Sequence, residues 1–180
     1  MPTENKTQTP RIYVACLAAY NSGKLHGSWI NCDQDAESIW AEINAMLAKS
    51  PEPDAEEHAV HDFEGFGSLN LGEWPDIEQV AELAALMQEH GEIFSELVSH
   101  FGGLENLDEA KTAMEESYQG SHDSLEDFAY ELLEDTGALK DLPDNLRCYF
   151  DYKAYGRDLE LGGDVFTVEV SHQIHIFWNR

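Results

Sequence analysis

The sequence predicts an α+β protein with strands toward its two ends and helices between them, on three observations. β-Branched and aromatic runs stand near the termini, as in Ile12-Tyr13-Val14 and Val165-Phe166-Thr167-Val168. Between residues 76 and 135 apolar side chains recur at helical spacing. With 42% hydrophobic and 11% aromatic residues, the chain holds too many core-forming side chains for a disordered acidic tail. Its 180 residues fill one or two ordinary domains, or three small units that each bury little surface and so depend on one another.

The elements follow in order. Residues 1–10, MPTENKTQTP, form a polar tail with no apolar centre to act as a signal peptide. Ile12-Tyr13-Val14-Ala15-Cys16-Leu17 reads as a strand, and the turn-rich Asn21-Ser22-Gly23-Lys24 leads into residues 25–31, which predicts a hairpin. Asp33 or Asp35 caps a helix through Lys49 with Ile39, Trp40, Ile43, Met46 and Leu47 inward. Pro51 and Pro53 break the chain, and residues 57–63 return as a third strand. In 76–90, Ile77, Val80, Ala81, Ala84 and Met87 form one buried stripe, which leaves Glu78, Glu82 and Glu89 on another face. After Gly91, Ile93, Phe94, Leu97, Val98 and Phe101 give a short helix with Glu92 and Glu96 one turn apart, ended by Gly102-Gly103. A further helix is expected from Leu107 to about Tyr118. Another begins at Ser124, which forms a capping box with Asp127 and turns Leu125, Phe128, Ala129, Leu132 and Leu133 inward. A tyrosine-rich segment, 146–161, precedes two strands, 165–170 and 173–178, separated by Ser171-His172. No repeat is visible at a fixed period.

Charge narrows the function classes. Against 10 Lys and Arg stand 36 Asp and Glu, a net charge of −26, and residues 50–139 hold 24 of the acids with a single base, Lys111. That sign excludes a binder of nucleic acid, which needs clustered cations, and attachment to an anionic membrane surface. No stretch reaches the roughly 18 apolar residues of a membrane helix, so a cytoplasmic protein is expected. Cys16, Cys32 and Cys148 are odd in number and far apart, which predicts reduced, buried thiols.

Enzyme motifs are weak. His58-x-x-His61-Asp62 has the wrong spacing for a metal site on a strand, because residues three apart face opposite sides, and His172 and His175 share the problem. No calcium-loop pattern occurs, Gly65-Phe66-Gly67 lacks the rest of a dinucleotide fingerprint, and Ser22-Gly23-Lys24 has no upstream glycine for a phosphate loop. No catalytic, cofactor or metal residues are predicted.

What remains is the charge pattern. Like charges at i,i+4 destabilise a helix, so ordinary solvated helices mix signs, and the central region does not. Carboxylates on successive turns stand about 5–6 Å apart and can imitate the phosphates of duplex DNA. The candidate mimic surface comprises Asp62, Glu64, Asp76, Glu78, Glu82, Glu89, Glu92, Glu96, Glu105, Asp108, Glu109, Glu115, Glu116, Asp123, Glu126 and Asp127. A merely soluble acidic domain and halophilic adaptation are the alternatives from charge alone, although halophilic acids would be spread evenly.

Three blocks carry a resemblance: Ile12-Tyr13-Val14-Ala15 with Tyr20-Asn21-Ser22-Gly23 and Gly27-Ser28-Trp29; Ala59-Val60-His61-Asp62-Phe63-Glu64; and Glu134-Asp135-Thr136-Gly137-Ala138-Leu139 followed by Tyr149-Phe150-Asp151-Tyr152-Lys153-Ala154-Tyr155-Gly156-Arg157-Asp158-Leu159. In these the chain resembles the ArdA antirestriction proteins, DNA-mimicking inhibitors of type I restriction–modification enzymes carried by mobile genetic elements. The resemblance implies an elongated chain of three small domains after the tail: a sheet-plus-helix domain at 11–66, a central helical domain at 67–106 and a mixed C-terminal domain at 107–180. It also implies that Glu131, Leu132, Leu133, Glu134, Asp135, Thr136, Gly137, Ala138 and Leu139 are the antirestriction motif, and that the C-terminal domain forms a homodimer. The apolar, tyrosine-rich Cys148, Tyr149, Phe150, Tyr152 and Tyr155 are the candidate dimer contacts. The implied partner is the methyltransferase core of a type I enzyme, blocked without catalysis or cofactor. An acidic adaptor or chaperone-like module for basic proteins is the rival reading, and a metal-dependent hydrolase a weaker one.

Overall fold

Strand β1 (Arg11–Cys16) lies at the centre of the first sheet, between β2 (Gly27–Asn31) and β3 (His58–Glu64), in a computed structural model that describes residues 8–180. Both neighbours run antiparallel to it; Ile12 faces Ile30 on one side and Phe63 on the other. The pairing with β3 shifts register between Tyr13 and Val14, a bulge that leaves Val14, Ala15 and Cys16 all buried. The expected hairpin forms, with a single helical turn, α1 (Leu17–Asn21), inside its connection. The Arg11 guanidinium lies over the Trp29 ring at 4.5 Å from its centroid and pairs with Glu64 at 2.6 Å, joining the three strands at one end of the sheet. The expected tail falls partly outside the described residues, at 1–7; of the rest, Pro10 accepts the Cys32 N–H through its carbonyl at 2.8 Å.

Helix α2 (Ala36–Ala48) begins at Asp35, whose side chain accepts the Ser38 N–H at 2.7 Å. That bond holds the Asp35 carboxyl below its ordinary pKa. Ile39, Ile43, Met46 and Leu47 are buried as the periodicity requires, and α2 packs on β1, β2 and α3 (Ile77–His90). In α3 the stripe is centred differently from the expected one. Leu83, which the reading omitted, is fully buried with Val80 and Ala84, whereas Ala81 and Met87 lie at its half-buried margins. Gly91, at φ +83°, turns the chain into α4 (Glu92–His100), whose Ile93, Phe94, Leu97 and Val98 are buried. A 3-10 turn at Leu104–Asn106 leads into α5 (Leu107–Glu116).

The chain divides into two compact units, one running to Ala110 and one from Lys111 to Arg180. In the second unit β6 (Gln173–Trp178) lies between β4 (Tyr118–His122) and β5 (Val165–Val170). Strand β4 replaces the end of the helix expected to reach Tyr118. Helix α5 stops at Glu116, the Ser117 carbonyl accepts the Trp178 N–H at 2.9 Å, and the Tyr118 hydroxyl bonds His175 Nδ1 at 2.8 Å. The β5–β6 hairpin closes through Ser171 and His172, both at positive φ, the conformation that a two-residue hairpin loop demands. Helices α6 (Leu125–Thr136) and α8 (Tyr152–Leu161) pack together, with the short α7 (Asp144–Arg147) in the connection between them, and a core of Phe128, Val165 and Ile176 takes Leu125, Leu132, Leu159, Ile174 and Trp178 around it. Gly156 sets the approach of α8 to α6, since a Cβ there would stand 2.4 Å from the Leu125 carbonyl oxygen.

Candidate functional site

The carboxylates sit on helix faces because the opposite faces are buried. In α3, Val80, Leu83 and Ala84 fix the inward side, which leaves Glu78, Glu82 and Glu89 exposed on the same outward side at i, i+4 and i+11. Glu78 and Glu82 are one turn apart, and Glu89 follows about 10 Å further along the axis. Glu105 in the 3-10 turn and Asp108, Glu109, Glu115 and Glu116 in α5 are exposed, the last four as two pairs separated by two turns. Asp123, Glu126 and Asp127 are exposed at the start of α6, as is Asp62 on β3.

Several predicted acids also do structural work. Asp76 caps α3 by accepting the Gln79 N–H at 3.1 Å, and Glu78 accepts the Trp40 indole N–H at 3.2 Å. Asp127 donates its backbone N–H to Ser124 Oγ at 3.1 Å, which is the expected N-cap, but its carboxylate accepts the Ser124 hydroxyl at 2.6 Å in place of the Ser124 backbone N–H that a full capping box would use. Glu64, Glu92 and Glu96 are half-buried, unlike the other thirteen. Glu64 is neutralised by Arg11 and accepts from Gln8 at 2.8 Å; Glu96 accepts the Ser68 backbone N–H at 2.7 Å and the Ser68 hydroxyl. Sequence spacing reports which face an acid occupies, and not whether a distant loop reaches back to it. Glu56, Glu57 and Glu73 are also exposed and lie outside the candidate set, although they fall within residues 50–139 with their single base.

Residues 131–139, expected from the resemblance to be the motif, are the C-terminal part of α6, its Gly137 cap and the two residues after it. Leu133 is buried and Leu132 half-buried, while Glu131, Glu134, Asp135, Thr136 and Ala138 are exposed and Leu139 is half-buried. Gly137 ends the helix in the left-handed region at φ +64°. His122 Nδ1 lies 3.4 Å from Glu131 Oε2, linking β4 to the motif. Of the candidate dimer residues, Phe150 gathers Tyr152 and Tyr155 at ring distances of 5.0 and 5.8 Å, whereas Tyr149 is 83% exposed. Cys148 is exposed, which corrects the expectation of three buried thiols; only Cys16 and Cys32 are buried. The short α7 turn carries Cys148 outward, its Sγ directed to the Asn145 carbonyl at 3.4 Å. Leu142 and Leu146, which the reading did not single out, are exposed beside it.

The histidines on β3 meet different partners. His58 packs edge-on against Trp40 at 5.4 Å, and His61 against Tyr20 at 4.8 Å. Among the described residues no group of three or more His, Cys, Asp or Glu is placed to hold a metal ion, and no helix is long and apolar enough to cross a membrane.

Fold and surface together define a small α+β protein whose outward helix faces are covered with carboxylates. A sequence profile described as Antirestriction protein (ArdA) matches residues 12–173, and no curated protein matches the chain. The chain belongs to the ArdA family of antirestriction proteins.

Proposed function

We propose that this protein blocks DNA restriction as a mimic of duplex DNA, occupying the DNA-binding cleft of a type I restriction–modification enzyme at its methyltransferase core. The observation that carries the reading is the run of exposed carboxylates on α3, α5 and the start of α6, in a stretch whose one base is Lys111. A cleft evolved to hold phosphates meets there fixed negative charges one or two helical turns apart, without a sugar–phosphate chain to cut. Inhibition is stoichiometric and involves no turnover. Glu131, Glu134 and Asp135 extend the charged surface, while Leu133 holds α6 in its core.

In this reading residues 11–66, 67–106 and 107–180 act as three successive segments of the mimic. Two copies join through the region around Cys148, Tyr149, Phe150, Tyr152 and Tyr155. A pair carries twice the −26 of one chain, matching the phosphates of about 26 base pairs. The test is titration of a purified type I methyltransferase core with the protein, with duplex DNA as competitor. Mutual displacement at a fixed stoichiometry is expected. A stable ternary complex with both held at the DNA cleft would sink mimicry, and equal binding to any basic protein would replace it with a general acidic adaptor.

A further inference from the structure

Trp74 is 71% exposed, and its position is not that of a loose loop residue. The Glu73 carbonyl accepts the Val60 N–H at 2.8 Å, which ties the preceding residue to β3. Two residues onward Asp76 caps α3, and Leu71 and Ile77 on either side are buried at 7% and 2% exposure. The main chain is therefore fixed on both sides while the indole stands in solvent. Among the described residues it stacks on no ring and its N–H finds no acceptor. The other three tryptophans all have partners: Trp29 lies under Arg11, Trp40 is bonded to Glu78, and Trp178 packs edge-on against Phe128.

The surroundings specify what would cover it. Glu73, Asp76 and Glu78 are exposed within four residues, so the ring rises from a negative surface. A second copy meeting the same patch by twofold symmetry would set these acids against their own counterparts, which disfavours self-association there. A cationic cleft has the complementary charge. A methyltransferase that acts on duplex DNA must also take its target base out of the stack, and holds it between aromatic and apolar side chains. An indole is a flat bicyclic ring of purine-like size with an N–H on its edge. A rigidly held aromatic side chain within a polar rim is also the usual form of an interface hot spot.

We propose that Trp74 is a base surrogate: it stacks where the target's DNA cleft accepts an unstacked base, while the neighbouring carboxylates stand in for phosphates. This rests on the mimic reading above and adds to it, since charge alone requires no aromatic contact.

The test compares full-length wild type with Trp74→Ala and Trp74→Phe for binding to a type I methyltransferase core at several salt concentrations. Trp74→Ala is expected to weaken binding tenfold or more with an unchanged slope of log affinity against log salt, because no charge is lost, and Trp74→Phe to stay within threefold of wild type. A loss of less than tenfold for Trp74→Ala overturns the proposal. An independent readout is 19F NMR of protein labelled with 5-fluorotryptophan, in which the resonance missing from Trp74→Phe is that of Trp74. It should shift on complex formation, and a resonance unchanged in the saturated complex overturns the proposal as well. Wild type that fails to compete with DNA at all refutes the mimic reading, an outcome separate from a wild type that competes normally but is indifferent to Trp74.

Discussion

The Glu96 carboxylate accepts the backbone N–H of Ser68 at 2.7 Å across 28 residues of sequence, so an acid with the spacing of a surface charge anchors the loop that follows β3. Gly67 beside it has φ +59°, and a Cβ there would collide with the same carboxylate. Glu96→Ala should therefore destabilise the fold by about 1–3 kcal/mol through loss of hydrogen bonds to a charged acceptor. Glu109→Gln, on an exposed face of α5, should stay within about 0.5 kcal/mol. Urea denaturation of the two variants checks the contrast, and equal effects would refute it.

Removal of surface charge should act gradually. Glu82, Glu89, Glu109 and Glu116 are exposed on two helices, and conversion to Gln one after another should weaken binding to the target by about 0.2–1 kcal/mol per site, with the salt dependence of binding falling in step. Loss of all binding from a single substitution would point instead to a localised site.

Crowded like charges also predict how stability responds to salt. Between low and physiological ionic strength the thermal midpoint should rise, because screening relieves repulsion within the base-poor stretch. Differential scanning calorimetry across a sodium chloride series tests this, and a flat or falling midpoint contradicts it.

Burial holds the pKa of both His58 and His175 below the ordinary histidine value of 6.5. The unfolded chain thus binds protons more readily than the folded one, and stability should fall as pH drops below about 6.5 through the folded values. In denaturation between pH 7.5 and 5.5, replacement of both residues by Gln should flatten this slope. An unchanged slope would place the titrating groups elsewhere.

Thiol chemistry should single out one cysteine. Cys16 and Cys32 are fully buried, and burial with neighbouring Asp33 pushes the Cys32 thiol up to about 12, where almost no thiolate exists at neutral pH. Cys148 is exposed. Diluted to single chains, native protein should take up one equivalent of a thiol reagent, lost in Cys148→Ser, and three after unfolding, whereas pairing of two copies through this region should protect Cys148.

The hairpin β5–β6 was legible to the residue because its two apolar runs flank a polar two-residue turn. Strand β4 was not, since Tyr118-Gln119-Gly120-Ser121-His122 has no apolar alternation; its register is irregular between Tyr118 and Ser121, and it is a strand because β6 offers it an edge. α-Helical faces were readable from a 3.6-residue period, which is why most predicted acids are indeed exposed. Long-range partners leave no periodic trace, so the engagement of Glu64 by Arg11 and of Glu96 by Ser68 appears only in three dimensions. The same limit applies to α7, too short for a period, which turns Cys148 outward.

In the proposed mimic, carboxylates presented on rigid helix faces leave the target little room for escape. A restriction enzyme that replaced a cleft lysine or arginine to repel Glu82 or Glu116 would weaken its grip on the phosphates of its own substrate by the same electrostatic term. The inhibitor faces no such penalty, since an Asp or Glu displaced by one turn presents nearly the same field. Sequence drift across these faces is thus cheap for the inhibitor and resistance is expensive for the enzyme, an asymmetry that favours broad activity against many enzymes over a tailored fit to one.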